Sequence, residues 1–308
     1  MQRGSRIFVA GGRSMIGSAI VRRLEAEGLT PIGQDEEPDY RDRAAVVAFL
    51  GEHRPQYVFL AAGETAGIGG NTARPADLMT DSLLAAVNLI PAAADHGAAK
   101  LVYLASSCIY PKHAPHPLRT TSLWSGPVEP TSAAYATAKL AGVVLCDAFR
   151  RQHAKPFVAA IAADAYGPGD DFSVENAHVV GALIRRFHEA ARAGAPSVEV
   201  WGSGTPRREF IYVDDLADAC VFVMSRYDGN EVINLGTGVD NSIAELAGEI
   251  ARVVGFRGDI RFDRSRPDGM PFKGLDSSVL HGLGWRPKWT LARGLEETYR
   301  WYLRILGS

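Results

Sequence analysis

Several features that mark other classes of protein are missing from this sequence. No apolar stretch reaches the roughly 18 residues of a membrane-spanning helix, and the apolar run at residues 7–10 is too short for a secretory signal. Three cysteines, Cys108, Cys146 and Cys220, are too widely spaced to indicate a disulfide framework or a metal site. A net charge of -2 without a basic run argues against a nucleic-acid partner. We therefore expect a soluble, cytoplasmic protein with no membrane partner, nucleic-acid partner or metal.

What the sequence does contain is a regular alternation of short apolar runs and longer helical patterns. The pattern predicts buried strands at residues 6–10, 57–62, 101–105 and 157–162, and helices over 16–28, 75–96 and 133–153. Such alternation is typical of a parallel sheet with helices on both faces. We therefore predict an α/β fold in which residues 1–165 form a doubly wound parallel sheet.

After Gly169 the predicted elements become shorter and more mixed. The pattern predicts helices over 176–193, 214–226 and 242–254, and strands over 198–201, 209–213 and 232–235. Ser242 and Glu245 fit a capping box at the start of the last of these helices. We expect residues 207–240 to return to the sheet, and residues 166–206 and 241–308 to form a smaller α/β lobe that binds the substrate.

A glycine-rich turn, Val9-Ala-Gly-Gly-Arg-Ser-Met-Ile-Gly17, joins the first predicted strand to the first predicted helix. Glycines let the backbone approach a pyrophosphate, and the helix start offers free N–H groups and a positive dipole end. Strand-to-helix turns also need glycine for backbone reasons alone, and a serine stands in the middle of the G-x-x-G-x-x-G pattern. The flanking strand and helix favour a dinucleotide-binding domain over residues 1–165. Its expected contacts are Gly11, Arg13, Ser14, Met15, Ile16, Gly17 and Ala62.

The sequence contains opposing indications of which dinucleotide binds. Arg13 is suited to a 2'-phosphate, which favours NADP(H). A further strand is expected between the first predicted helix and residues 57–62, and its end reads Gly33-Gln-Asp-Glu-Glu37. Acids there accept hydrogen bonds from a ribose 2'-OH and repel a phosphate, which favours NAD(H). A solvated turn explains the same acids equally well, so both dinucleotides stay open here.

Tyr135 and Lys139 form a Y-x-x-x-K pair on one face of a predicted helix, one turn apart. We expect Lys139 to lower the pKa of Tyr135 and to hold the cofactor ribose. Tyr135 then donates a proton to a carbonyl oxygen as hydride reaches its carbon. The pair follows a buried strand that ends in two serines. If that strand stays extended, Ser106 and Cys108 share one side and Ser107 points away.

Cys108 and His178 are candidates for proton transfer at carbon next to a ketone. A thiol serves as a base when its pKa is lowered, but a single cysteine is more often a small buried hydrophobe. His178 stands at the start of a predicted helix, where a polar surface or core histidine is the ordinary expectation. Arginines such as Arg186 and Arg208 suit a diphosphate because they form two parallel hydrogen bonds, although isolated basic residues are usually solvated.

Longer motifs connect these residues to a family. They are Ser106-Ser-Cys-Ile-Tyr-Pro-Lys112, Leu183-Ile-Arg-Arg-Phe-His-Glu-Ala190, Val200-Trp-Gly-Ser-Gly-Thr-Pro206, Arg208-Glu-Phe210, Val213-Asp-Asp215 and Asn234-Leu-Gly-Thr-Gly-Val-Asp240. From about residue 6 to residue 301, the chain resembles the GDP-L-fucose synthase family. These are bifunctional GDP-4-keto-6-deoxy-D-mannose 3,5-epimerase/4-reductases of the extended short-chain dehydrogenase class, with a Rossmann-type fold.

The resemblance implies roles for the candidate residues. It implies a reductase triad of Ser106, Tyr135 and Lys139, with Cys108 as the epimerisation base and His178 as the acid that reprotonates the opposite face. It also implies that Lys139, Asp164 and His178 border the cofactor. The residues implied to contact the GDP-sugar are Arg186, Trp201, Arg208 and Lys273. Family members are commonly homodimers that use NADPH, so a homodimer and NADP(H) are the implied partner and cofactor.

Three segments depart from the family pattern. Gly33 and Asp35, at the end of the strand expected before residues 57–62, stand where the family has basic residues. This difference weakens the expectation of NADPH. Ala162-Ala-Asp164 stands where the family has Pro-Thr-Asn, so a carboxylate faces the expected sugar site. Residues 63–71 differ from the family's Lys-Val-Gly-Gly-Ile segment. These departures leave open a different nucleotide 4-ketosugar as substrate.

Two other functions compete with this interpretation. One is an NAD-dependent epimerase, reductase or dehydratase of the same superfamily, favoured by the acids at residues 35–37 and opposed by Cys108 and His178. The other is a non-catalytic redox sensor that only binds dinucleotide. A sensor is expected to lose part of the triad, whereas Ser106, Tyr135 and Lys139 are all present.

Overall fold

The computed structural model describes residues 1–307. In the first half the elements are β1 (Ile7–Ala10), α1 (Met15–Glu25), α2 (Arg43–His53), β2 (Tyr57–Leu60), α3 (Ile68–Ala73), α4 (Pro75–Asp95), β3 (Lys100–Ser106), α5 (Ala133–His153) and β4 (Phe157–Ala162). Three single-turn 3-10 helices, at Ser107–Ile109, Thr120–Ser122 and Pro130–Ser132, lie in the connection from β3 to α5.

The second half has shorter strands. Its elements are β5 (Asp164–Tyr166), α6 (Val179–Ala193), β6 (Ser197–Trp201), β7 (Arg207–Tyr212), α7 (Val213–Arg226), β8 (Ile233–Leu235), β9 (Asp240–Ser242), α8 (Ile243–Val254), β10 (Asp259–Asp263), β11 (Phe272–Lys273), α9 (Ser278–Gly282) and α10 (Leu291–Gly307). The predicted capping box at α8 is confirmed, because Ser242 and Glu245 exchange hydrogen bonds of 2.7 and 3.0 Å.

The large sheet has the order β1-β2-β3-β4-β8, and all four strand pairs are parallel. Its strands are buried almost throughout, which explains their apolar sequences without polar alternation. This arrangement confirms the predicted α/β fold with a parallel sheet. Because the strands run the same way, Ala10, Ser106 and Ala162 end at one edge of the sheet, where α/β proteins bind their ligands.

The strand that we expected to end at residues 33–37 does not form. Residues 29–32 form no strand, although the Ile32 N–H donates to the Ile7 carbonyl at 2.8 Å and so lies against the free edge of β1. Pro31 has no N–H to give to a ladder, and Gly33 turns the chain away with φ of 68°. One hydrogen bond marks the place of the strand, but the local sequence prevents it from forming.

The helix predicted over 176–193 begins later, at Val179, with His178 in the N-cap position. Tertiary contacts hold the preceding residues out of the helix. The Asn176 carbonyl accepts from Gly67 N–H at 3.0 Å, and its side chain accepts from Arg74 at 2.9 Å. The late start matters because it places His178 opposite the segment that follows β2.

Two hydrophobic clusters divide the interior. The larger surrounds the five-stranded sheet and includes side chains of α7 and β8, whereas the smaller joins α6, α8 and α10 around Phe187, Leu246 and Leu295. Two smaller sheets complete the fold. One has the order β11-β7-β5, with β9 antiparallel to β7, and the other pairs β10 with β6. Across residues 1–307, no helix is long and apolar enough to cross a membrane.

Candidate active site

Ser106 is the last residue of β3, and the chain turns there into the 3-10 helix Ser107–Ile109. The Ser106 hydroxyl accepts a hydrogen bond from Cys108 N–H at 3.3 Å. The alternation that we expected while the strand stays extended does not apply, because the strand ends before Cys108. Ser107 is buried, and its hydroxyl donates to Asp164 at 3.4 Å.

Tyr135 and Lys139 lie one turn apart in α5, and both are buried. Burial, followed by the negative charge of Cys108, raises the pKa of Tyr135, and hydrogen bonds with the Thr65 and Ser106 side chains oppose the rise. The expectation that Lys139 lowers the pKa of Tyr135 is thus wrong, because burial dominates and Lys139 is not among the groups that oppose it. Burial also lowers the pKa of Lys139 to about 8, and its Nζ donates to the Leu104 carbonyl at 3.2 Å.

Cys108 lies beside a lysine that is already in an ion pair. Lys273 Nζ is 2.7 Å from Asp164 Oδ1 and 3.9 Å from Cys108 Sγ. Burial lowers the pKa of Lys273, but the charges of Asp164 and Cys108 outweigh it and leave that pKa raised. Lys273 is therefore a stable cation next to the thiol.

His178 faces this group from the start of α6. Its Nε2 is 3.3 Å from the Thr65 hydroxyl, which also hydrogen-bonds with Tyr135. Burial lowers the pKa of His178, while the nearby charge of Asp164 raises it less. Thr65 was not among the predicted site residues. Its only signal in the sequence is its position shortly after a buried strand, in a segment that departs from the family pattern.

The four predicted substrate residues fall into two groups. Arg208, on β7 beside Lys273 on β11, is buried and close enough to Cys108 and Asp164 for their charges to affect its pKa. Arg186 and Trp201 have other contacts. The Arg186 side chain donates to the Glu199 carbonyl, and half-exposed Trp201 has a guanidinium, that of Arg266, 4.8 Å from its ring centre.

The glycine-rich turn is built for close backbone approach. Gly11 has φ of 79°, and a Cβ there would lie 2.9 Å from the backbone of Ala62. A Cβ on Gly17 would lie 1.9 Å from the Gly11 carbonyl oxygen. Ser14 caps α1 by accepting from Gly17 N–H at 3.1 Å, so Met15 and Ile16 begin the helix. Only glycine fits the first and last positions of the turn.

Acceptor groups without partners surround this turn. Glu37 Oε2 accepts from Gly11 N–H at 2.9 Å and from Tyr40 at 2.6 Å, but its Oε1, like Gln34 Oε1, is buried without a hydrogen bond within the described chain. Arg13 is exposed and donates to the Asp35 carbonyl at 3.0 Å. Buried acceptors need donors. Ribose hydroxyls supply such donors, and Arg13 is available to a phosphate, so these residues fit a dinucleotide.

A parallel sheet with a glycine turn at its carboxyl edge, and a Ser-Tyr-Lys group beside that edge, defines a dinucleotide-dependent enzyme of the short-chain dehydrogenase class. Residues 7–236 match the model of the NAD dependent epimerase/dehydratase family. GDP-L-fucose synthase 1 of Arabidopsis thaliana is 47% identical and aligns over 98% of this chain and 94% of its own length. The chain therefore belongs to the NAD dependent epimerase/dehydratase family and, within it, to the GDP-L-fucose synthases.

Solved structures show the same fold over the full length. A GDP-6-OMe-4-keto-L-xylo-heptose reductase from C. jejuni has a TM-score of 0.92 and 32% identity, with 99% of each chain covered. A GDP-L-fucose synthetase from Naegleria fowleri, solved with NADP bound, has a TM-score of 0.89 and 26% identity, and covers 100% of this chain and 95% of its own.

Proposed function

We propose that this protein converts GDP-4-keto-6-deoxy-D-mannose to GDP-L-fucose, by epimerisation at C3 and C5 and NADP(H)-dependent reduction at C4. The observation that carries the proposal is the meeting of Cys108 with Ser106 and Tyr135 around one cleft. A reductase needs only the triad. A thiol beside the same oxyanion donors gives the cleft a base as well.

In the epimerisation, the C4 ketone acidifies the protons at C3 and C5. Cys108 as thiolate removes one proton, and the hydroxyls of Ser106 and Tyr135 donate to the enolate oxygen that forms at C4. His178 then returns a proton to the opposite face of the carbon. Thr65 holds the imidazole through its contact with Nε2. Two such inversions give the L-sugar configuration.

In the reduction, a dinucleotide held beside the glycine-rich turn would supply the hydride for C4. Tyr135 donates a proton to the C4 oxygen, and the same side chains that stabilised the enolate hold that oxygen in place. Lys139 stabilises the resulting tyrosinate with its positive charge and binds the ribose of the cofactor. Gly11, Gly17, Ala62 and Arg13 would hold the rest of the dinucleotide, with Asp164 and His178 bordering it.

For substrate binding, Arg208 and Lys273 would contact the diphosphate next to the catalytic group. Arg186 and Trp201 would contact the nucleotide farther out, in a substrate lobe formed by residues 166–206 and 241–308. The sheet domain would comprise residues 1–165 together with 207–240. Buried arginine suits a diphosphate because it forms two parallel, charge-assisted hydrogen bonds.

The proposal includes a homodimer in the cytoplasm. The helices α4 and α5 pack together and present partly exposed apolar side chains at helical spacing, including Leu84, Val87, Leu140 and Val144. Val144 is 45% exposed. A continuous apolar face on two adjacent helices suits a symmetric contact with a second copy of the chain.

A second candidate function is reduction of a related GDP-linked 4-ketosugar. The structural neighbour from C. jejuni is named as a reductase of such a heptose, and Asp164 adds a carboxylate that accepts hydrogen bonds from sugar hydroxyls. If Glu37 and Gln34 near Gly11 accept hydrogen bonds from an unphosphorylated ribose, the protein would use NADH in either of the two functions.

One experiment separates these possibilities. GDP-4-keto-6-deoxy-D-mannose is incubated with the protein in deuterated buffer, with NADPH and NADH in separate reactions, and followed by NMR. Deuterium at C3 and C5 together with coenzyme oxidation and GDP-L-fucose supports the bifunctional proposal and identifies the preferred coenzyme. Coenzyme oxidation without deuterium contradicts epimerisation, and no reaction at all indicates another nucleotide sugar.

A further inference from the structure

The cleft contains an ion pair within reach of the thiol. Lys273 Nζ is 2.7 Å from Asp164 Oδ1 and 3.9 Å from Cys108 Sγ. The Ser107 hydroxyl donates to the same Asp164 oxygen at 3.4 Å, so the carboxylate has a second partner. The side chains of Lys273 and Asp164 are only 12% and 27% exposed, so solvent screens the pair weakly.

Charged and titratable groups from four elements face this position. Tyr135 comes from α5, Arg208 from β7, Lys273 from β11 and Asp164 from β5. Tyr135, Arg208 and Lys273 each interact electrostatically with Cys108, and Lys273 Nζ contacts the sulfur at 3.9 Å. His178 interacts with Asp164 and Lys273 from the start of α6.

We propose that the Asp164–Lys273 pair sets how readily the Cys108 thiol ionises, with Lys273 favouring the thiolate and Asp164 restraining that effect. Lys273 and Asp164 are positioning residues in this role, and the consequence for epimerisation rests on the proposed function. Ionisation of the thiol itself requires no substrate. A thiolate at 3.9 Å from an ammonium gains from the opposite charge, whereas a carboxylate on the same ammonium offsets part of the gain.

The size of the effect follows from the distances. An opposite charge within this range changes the ionisation midpoint of a group by about one to three pH units, and partial exposure places this site at the lower end. Asparagine at position 164 keeps an acceptor for Lys273 but removes the negative charge. Methionine at position 273 keeps the length of the side chain but removes the positive charge.

The test is the rate of Cys108 alkylation by iodoacetamide as a function of pH, measured by mass spectrometry of the Cys108 peptide in the intact, substrate-free protein. The other two cysteines, Cys146 and Cys220, are buried, and Cys108→Ser gives the background. Lys273→Met is expected to raise the midpoint of the rate profile by about one pH unit, and Asp164→Asn to lower it by about half a unit. Lys288→Met, which removes an exposed lysine paired with Asp218, is expected to leave the midpoint unchanged.

An unchanged midpoint in Lys273→Met, or a raised midpoint in Asp164→Asn, would overturn the proposal. If Lys273→Met folds poorly, Asp164→Asn decides the matter, because loss of the carboxylate charge must lower the midpoint and an unchanged midpoint would overturn the proposal. The alkylation result remains valid even if the protein does not act on the proposed substrate. Absence of deuterium exchange with GDP-4-keto-6-deoxy-D-mannose contradicts the substrate, whereas the alkylation profile tests only the charges around Cys108.

Discussion

Among single residues, Thr65 connects two side chains of the candidate active site. Its hydroxyl lies 3.3 Å from His178 Nε2 and hydrogen-bonds with Tyr135. It therefore joins the proposed acid for epimerisation to the proposed acid for reduction. A single hydroxyl so placed orients both side chains without taking part in bond making.

Thr65→Val replaces this hydroxyl with a methyl group of the same shape. We expect deuterium exchange at C3 and C5 to slow about 3- to 10-fold, because one hydrogen bond contributes about 0.5–1.5 kcal/mol. Exchange is followed by NMR, and thermal unfolding checks the fold. Thr65→Ser keeps the hydroxyl and should retain most of the rate. An equal loss in both variants would show that packing, not the hydroxyl, matters here.

Cys108→Ser tests the proposed base directly. We expect the exchange rate at C3 and C5 to fall at least about 100-fold, because general base catalysis typically contributes a factor of 10² to 10⁴ and an alcohol is a far weaker base. Binding of the dinucleotide, measured by fluorescence titration, should be unchanged. Exchange at the wild-type rate in this variant would rule out Cys108 as the base.

Among the elements, α5 carries two proposed catalytic side chains, and one of them, Lys139, is a buried charge that lowers the stability of the fold. It carries Tyr135 and Lys139 on its buried face and packs against α4 and β3. Lys139 is buried beside a carbonyl group and has no anionic partner in direct contact within the described chain. The helix thus keeps a charge in the interior, and in the proposed function this charge serves to bind the cofactor ribose.

Lys139→Met should abolish reduction and stabilise the free protein at pH 7. Burial lowers the pKa of Lys139 from its usual 10.5 to about 8, so the unfolded chain binds this proton more tightly than the folded one. The buried charge therefore costs about 1–3 kcal/mol below pH 8, and this cost falls as the pH rises from 8 to 10.5. Thermal unfolding should show a higher Tm for the variant at pH 7 and a smaller difference at pH 10.

The matched control for that measurement is Lys288→Met, which removes an exposed charge. It should change neither reduction nor the pH dependence of Tm. A lower Tm for Lys139→Met than for the wild type at pH 7 would contradict the cost assigned to the buried ammonium. Added cofactor should reduce the difference in Tm between Lys139→Met and the wild type, because the cofactor ribose is the proposed partner of Lys139.

For the protein as a whole, the proposed assembly depends on the α4–α5 face. Val144→Glu places a charge at the centre of this face, at a position that is 45% exposed and therefore tolerant of a polar side chain. Light scattering after size exclusion should show a dimer for the wild type and a monomer for the variant. Val279→Glu on α9, which is 55% exposed, is the control and should remain a dimer. A monomeric wild type would contradict the proposed homodimer.

Sequence patterns predicted the elements whose signal is local. The alternation of apolar strands and helices, the turn from Gly11 to Gly17 and the Tyr135–Lys139 spacing each depend on residues close together in the chain, where periodicity and backbone sterics act. The strand expected before residues 33–37 does not form for an equally local reason, since Pro31 and Gly33 oppose the apolar pattern around them.

The site could be predicted only in part. Cys108, His178 and Lys273 were named through family resemblance, but nothing in the sequence placed Lys273 on Asp164 or Thr65 on His178. Such contacts join residues far apart in the chain. They depend on where β3 ends, on the late start of α6 and on the pairing of β5, β7 and β11.

The sequence by itself thus determined the sheet-forming segments, the glycine turn and the spacing of Tyr135 and Lys139 on α5, because local sterics and apolar periodicity specify these features. The folded arrangement alone decided which charges surround Cys108 and which hydroxyl holds His178. Electrostatic and hydrogen-bond interactions act over a few ångströms in space, and only packing brings those groups within that distance.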